Sequence, residues 1–353
     1  MEFVFTEDQL LLQQTVRDFL DGECAVEHVR AMWDTETGRS PEFWGKLAEI
    51  GILGLLVPEE HDGLGMNEVD MVLVLEETGR AGTAEPVIHT AFVGVPLLAE
   101  SGADAIAKEW LPKVAAGEAI LAVGHEQSPF VSDAHIADLL LLSSGDAVHA
   151  VPAADVQVTP QAANDPAKKI ASVEWTPNAR TLLADGDAGR TLQAAAFDRG
   201  VLGAAAQLLG VGQQLIEMAV LYATQRKQFG VPIGSFQAVK HMLANEKVKV
   251  EYARTLVYRA ADSVAHNRPS RAVDVSMAKI ATSEAAVATA KTALQVHGAL
   301  GYTWEQDLHV WMRRAWSLDA SWGSLPYHRA RLADAVIDAN APAISFGYSA
   351  PAA

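Results

Sequence analysis

Arg226-Lys227-Gln228-Phe229-Gly230-Val231-Pro232-Ile233-Gly234-Ser235-Phe236-Gln237 stands between two long Ala-rich stretches of helical period. The Gly and Pro residues inside it break both helices and leave a short turn. Arg226 closes the first helix. A guanidinium fork at that place suits a pyrophosphate, which Arg grips with two parallel hydrogen bonds. Phe229 offers an aromatic wall and Gln237 an amide that both donates and accepts. The plainer alternative is a solvated Arg and a core Phe at a helix–helix turn.

Outward from this turn the helical period dominates. It runs over 192–226, 235–266 and 270–296. Helices of about 30 residues exceed the globular mean, so the spacing predicts a helical bundle. The last stretch ends in Gln295-Val296-His297-Gly298-Ala299-Leu300-Gly301-Tyr302-Thr303. Gly298 and Gly301 permit positive φ or close backbone approach. They also read as a helix stop. His297 reads as a structural hydrogen-bonder. Thr303-Trp304-Glu305-Gln306 has the pattern of a capping box. The tail beyond Asn340, rich in Ala, Pro and Ser, reads as loose.

Toward the N-terminus the character changes twice. Between Glu118 and about Arg190 the apolar clusters are short: 119–123, 137–142, 147–151, 156–158 and 170–175. They predict a small, mostly antiparallel β unit. Before it the chain reads helical. Thr6-Glu7-Asp8-Gln9 is a capping box, and Ser40-Pro41-Glu42 pairs an N-cap with Pro at the first helical position. Helical patterns also cover 67–79, 85–100 and 103–116, after a Pro/Gly-rich loop from Pro58 to Gly65. The expected organisation is α+β and multi-domain. An N-terminal helical domain spans 1–118, a small middle β domain 119–189 and a C-terminal long-helix bundle 190–353.

The chain has 353 residues, 50% hydrophobic and 20% charged, with a net charge of −17. That acidity argues against nucleic acid, whose phosphates need clustered Lys and Arg, and against an anionic membrane surface. Cys24 is the only cysteine, which excludes an internal disulfide and a thiolate zinc site. No apolar run of about 18 residues occurs, so no membrane span is expected. The start, Met-Glu-Phe-Val-Phe-Thr-Glu-Asp, has no basic n-region followed by an apolar h-region. The expected setting is soluble, reduced and cytoplasmic. His61 in Glu59-Glu60-His61-Asp62 lacks spaced partners for a metal, and no metal site is expected. Asp133, His135, Ser128 and Ser132 form no nucleophile elbow.

The 226–237 and 295–303 segments resemble signatures of the acyl-CoA dehydrogenase family of flavoenzymes. The α–β–α order, the Pro58–Gly65 loop and the opening helix are similar too. The resemblance implies FAD as cofactor and an acyl-CoA thioester as substrate. It also implies an electron-transfer acceptor. In the family the first segment binds the adenine and pyrophosphate half of an FAD held mainly by a neighbouring subunit. Arg226, Phe229, Gln237, Gln295, Gly298 and Gly301 are the matching positions here.

Three departures accompany the match. Family members open the β domain with a Thr-Glu-Pro, Gly-rich, Ser-Asp segment that packs on the flavin ring and the acyl-CoA. Here residues 122–133 read Ala-Val-Gly-His-Glu-Gln-Ser-Pro-Phe-Val-Ser-Asp. Glu126 and Ser132-Asp133 resemble remnants, while Phe130 and Val131 replace glycines and are expected to obstruct a cofactor. The family's Trp-x-Thr-Asn strand is missing; Trp175-Thr176-Pro177-Asn178 reads as a strand end plus turn. Finally, proton abstraction α to a thioester needs a carboxylate base. At one family position for it, after Met312-Arg313-Arg314, stands Trp322, which cannot take a proton. At the other, Phe197-Asp198-Arg199 supplies Asp198. Asp is one methylene shorter than Glu, about 1.5 Å. A misplacement of that order costs about 100-fold in rate. The competing reading pairs Asp198 with an Arg.

One sound half-site and one eroded half-site imply a complementary partner chain. The resemblance narrows to the degenerate subunit of actinobacterial α2β2 acyl-CoA dehydrogenases, which act on bulky thioesters such as steroid side chains and form a 2,3-enoyl-CoA. A homo-oligomer is the other assembly left open. The alternatives in function are a non-catalytic scaffold subunit completing the partner's FAD site, and a flavin-dependent desulfinase or oxidase of the same fold.

Overall fold

The computed structural model describes residues 4–338; the expectation of a loose tail falls outside them. Six helices open the chain: α1 (Glu7–Glu23), α2 (Val26–Trp33), α3 (Pro41–Glu49), α4 (Glu68–Ala81), α5 (Val95–Ala99) and α6 (Asp104–Ala115). A π-helical segment, Ile88–Gly94, runs directly into α5. The Thr6 capping box is formed, with its side chain accepting from the Gln9 N–H and the Gln9 side chain reaching back. The Ser40 cap likewise accepts from Phe43.

Seven strands follow: β1 (Leu121–Val123), β2 (Val131–Ser132), β3 (Leu139–Ser144), β4 (Ala147–Pro152), β5 (Gln157–Gln161), β6 (Ile170–Glu174) and β7 (Leu182–Ala184). They make a four-stranded sheet, β1-β3-β4-β7, and a three-stranded sheet, β2-β6-β5. Only the β1–β3 pairing is parallel. Leu139–Leu142 is a run of four leucines because both faces of β3 are covered. Leu139 and Leu141 join the main helical core, and Leu140 and Leu142 a second core between the sheets. β2 and β7 were not legible as strands, being two and three residues long.

The bundle consists of α7 (Gly186–Gln225), α8 (Gln237–Ala265), α9 (Arg271–His297), α10 (Leu308–Asp319) and α11 (Leu325–Ala333). A small hairpin, β8 (Lys227–Gln228) and β9 (Val231–Pro232), joins α7 to α8. α7 starts at Gly186, before the expected Arg190. Gly186 and Asp187 look like turn residues in sequence, but a helix N-terminus favours an acidic first turn. Thr303 caps no helix: its hydroxyl donates to the Leu300 carbonyl, and α10 begins only at Leu308.

α7 is the axis of the molecule. Its length and apolarity match a membrane span, yet two thirds of its most apolar window is buried inside the protein. Two glycines let α4 lie against it. A Cβ on Gly79 would stand 2.2 Å from the Gln207 carbonyl oxygen. Between the α4 and α7 backbones, Gly210 is as confined. The buried Arg199 ties α7 to Glu68 and Glu100 of the N-terminal domain.

Candidate active site and cofactor half-site

At one end of the bundle the C-termini of α7 and α9 meet. Tyr222 stacks on His297 at 4.3 Å between ring centroids, and His297 Nδ1 lies 2.8 Å from the Ala293 carbonyl oxygen. This packing sets Tyr222, just before the 226–237 segment, against His297 of the 295–303 segment. Arg226 is exposed and its guanidinium has no ion-pair or hydrogen-bond partner among the described residues. Phe229 holds φ +54° and is 94% exposed, with the Phe236 ring edge-on to it at 6.2 Å between centroids. A bulky side chain at positive φ with no core to fill is an open contact surface. That removes the core-Phe alternative. Gln237 and Gln295 are exposed. Gly298 has φ +60° with open space where a Cβ would be, while Gly301 is buried, its Cβ position 2.9 Å from Leu294 Cδ1.

A second region lies between the three domains. A cavity of about 390 Å³ runs between the β sheet and α7, lined among others by Gly124, Glu126, Gln193, Phe197, Tyr327 and Arg331. Two smaller spaces, of about 160 and 60 Å³, lie near Lys168, Ser132 and His89. Trp322 lines all three. It is 3% exposed and holds φ +56°. The His125 ring stacks on its indole at 4.2 Å and 13°, and the His89 ring at 5.3 Å and 26°. Burial pushes His89 down to about 3 and His125 to about 4, so both rings are neutral near pH 7. Their Nδ1 atoms are buried without a partner.

The supports of this loop extend further. His328 Nε2 lies 2.9 Å from the Trp322 carbonyl oxygen and Nδ1 3.2 Å from Ser276 Oγ. A carbonyl only accepts, so Nε2 carries the proton and Nδ1 accepts from Ser276. Burial holds this ring neutral too, at about 4. Lys279, 1% exposed, donates to the carbonyls of Leu318 (2.5 Å) and Asp319 (3.0 Å) at the end of α10. It caps the C-terminal end of that helix. Lys168 lies beside the stack, bonded to Ser321 Oγ.

Asp198 is 1% exposed. One carboxylate oxygen accepts from Arg331 Nη2 at 2.7 Å, the other from Arg271 Nε at 3.0 Å. It does not line the large cavity; its neighbour Phe197 does. This is the ion pairing of the competing reading. Both of its oxygens are engaged by guanidinium groups, so neither is free to face a substrate in this arrangement. The obstruction expected from Phe130 and Val131 is also relocated. Phe130 is 37% exposed, and Val131 packs in the sheet core. His125, from the same segment, meets Trp322 instead. Asp133 pairs with the buried Arg39. His61 lies in a short 3-10 turn, and no group of three potential metal ligands occurs among the described residues. Sequence reasoning missed His89, Gly200 and His328, because each matters only through its contact with Trp322.

The family models described as "Acyl-CoA dehydrogenase, N-terminal domain" and "Acyl-CoA dehydrogenase, C-terminal domain" match residues 6–118 and 187–337. The chain belongs to the acyl-CoA dehydrogenase family, whose members are FAD-dependent flavoproteins. Among its relatives is acyl-CoA dehydrogenase IpdE2 of Mycolicibacterium smegmatis, 34% identical over 311 residues, 88% of this chain and 93% of the relative. Among solved structures, the ChsE4–ChsE5 complex of Mycobacterium tuberculosis aligns with TM-score 0.85 at 27% identity, over 97% of this chain and 100% of the other. A steroid acyl-CoA dehydrogenase, Tcur3481–Tcur3483, aligns with TM-score 0.85 at 22% identity, over 95% and 99%, and shares the fold.

The two regions differ in their fit to FAD. The exposed Arg226 and Phe229 beside the Gly298 turn fit the phosphate and adenine end of a dinucleotide. The space between residues 122–133 and the bundle is narrowed to about 160 Å³ by the stacked indole of Trp322, too small for a flavin ring.

Proposed function

We propose that this chain is a subunit of an FAD-dependent acyl-CoA dehydrogenase that forms a 2,3-enoyl-CoA from a bulky, steroid-side-chain-type thioester. It works with a second, related chain in an α2β2 assembly, in the cytoplasm, and passes electrons to a separate acceptor. FAD, when bound, supplies the hydride acceptor. This chain's part is to hold the phosphate and adenine end through Arg226, Phe229, Gln237, Gln295, Gly298 and Gly301, while the partner encloses the ring. One observation carries the reading: in a single chain the dinucleotide turn stands open and the ring slot is narrowed by Trp322. The pairing in the names ChsE4–ChsE5 and Tcur3481–Tcur3483 supports a two-chain assembly, and the latter supports a steroid substrate.

The engagement of Asp198 by two arginines favours the scaffold version of this reading, in which the partner provides the base. The test is co-purification with the related chain encoded beside it, with FAD read from its absorbance. Arg226→Ala should lower bound FAD at least about tenfold, as loss of a charge-assisted phosphate contact does. Unchanged FAD content in that variant, or one FAD per protomer in this chain purified alone, defeats the proposal.

A further inference from the structure

Trp322 is held by more than its own packing. Gly200 on α7 faces its indole, and a Cβ there would stand 2.2 Å from the ring. His125 and His89 stack on the ring, and His328 fixes the carbonyl of the same residue. Gly323 follows at φ +93°, its Cβ position 2.8 Å from Tyr327 and 2.9 Å from His328. A non-glycine residue at φ +56° is a strained choice, kept only where its surroundings over-determine it. Here three domains converge on one side chain: His89 from the N-terminal helices, His125 from the β domain, Gly200 and His328 from the bundle. The ring stands where the cavity of about 390 Å³ meets the smaller spaces of about 160 and 60 Å³.

We infer that Trp322 is a built plug: its indole partitions one continuous cleft into separate chambers, and its removal opens a slot that accepts a tricyclic flavin ring in this chain. The shape supports the size of that ligand. Indole and isoalloxazine are both flat and fused, and two neutral imidazoles already stack on the indole plane. The neutral imidazoles of His89 and His125, with their unpartnered Nδ1 atoms, and the Lys168 ammonium beside them offer polar contacts to such a ring. This deepens the proposed function, on which it rests for the choice of flavin. It assigns the loss of the ring site to one side chain and not to the missing glycines of 122–133.

The test uses lumiflavin, which has the ring and no phosphate, so that Arg226 and the partner drop out of the measurement. Glycine and asparagine both tolerate φ near +56°. Trp322→Gly and Trp322→Asn are prepared in the full chain, alone and in the two-chain complex, with Trp322→Phe as the conservative control. Binding is read from lumiflavin fluorescence and folding from circular dichroism. The two opening variants should bind at least about tenfold more tightly than wild type or Trp322→Phe. His125, followed by its imidazole proton resonance, should then titrate above its buried value of about 4. The inference falls if wild type binds lumiflavin as well as the variants do, or if both opening variants fold and neither binds. FAD content insensitive to Arg226→Ala would defeat the proposed function while leaving the lumiflavin comparison intact.

Discussion

Asp198 stands at a position where the family can carry its base, and its surroundings make an ion pair of it. The carboxylate sits on α7 next to Phe197, yet its oxygens are taken by Arg271 and Arg331. Arg331 lies over the Phe197 ring at 5.6 Å and lines the large cavity, so Asp198 fixes a cation at that wall. Removing one member of a buried ion pair costs about 3–5 kcal/mol. Asp198→Asn should therefore lower stability, measured by urea unfolding, by up to that amount. Turnover per assembled complex should change less than about threefold, against the 10²–10⁴-fold loss expected for a general base. Lys279 gives a second prediction. Burial lowers it from 10.5 to about 7, against the opposing charge of Asp319. Between pH 7 and 10 the unfolded chain holds this proton and the folded chain does not, so this lysine makes stability rise with pH. Unfolding at pH 7 and pH 9 should show that rise in wild type and a flatter response in Lys279→Met.

At the level of elements, α7 and its crossings carry most of the structure. Gly210 leaves its Cβ position 1.9 Å from the Glu76 carbonyl oxygen and 2.6 Å from the Arg80 nitrogen. Both are backbone atoms and cannot swing aside. Gly210→Val must separate α4 from α7, and thermal unfolding should show a loss of at least about 2–3 kcal/mol, the usual cost of overpacking or more. The long helices were readable because period and caps agreed over dozens of residues. Short elements were not: β2 and β7 are defined by their neighbours' hydrogen bonds, as Leu182 and Ala184 pair with β4 across a bulge. The capping pattern at Thr303 misled for a related reason. Arg30 binds the Trp304 carbonyl and the Asp307 carboxylate, and Trp304 packs on His309, so tertiary contacts hold residues 303–307 outside the helix. The candidate site divides in the same way. Arg226 and Gly298 stand in contiguous motifs and were legible. The residues around Trp322 are scattered from 89 to 328 and share only a place in space.

On the scale of the molecule, an acidic chain of net charge −17 leaves Arg226 exposed and unpaired among the described residues at the end of its bundle. An exposed guanidinium and a 94% exposed Phe229 gain nothing for the isolated chain. They become useful when a second chain brings a dinucleotide against them. Linkage makes this measurable. A ligand that binds only the assembled state stabilises that state by RT ln(1 + [L]/Kd), about 2.7 kcal/mol at one hundred times Kd. Thermal unfolding of the two-chain complex should therefore rise with added FAD by that amount. The isolated chain at the same FAD concentration should show no shift, because its own ring slot is narrowed by Trp322. Arg226→Ala should reduce the shift of the complex at fixed FAD, and Trp322→Phe should leave it unchanged. An equal shift in the isolated chain would mean that one protomer encloses the whole cofactor, and the division of the site between two chains would then have to be abandoned.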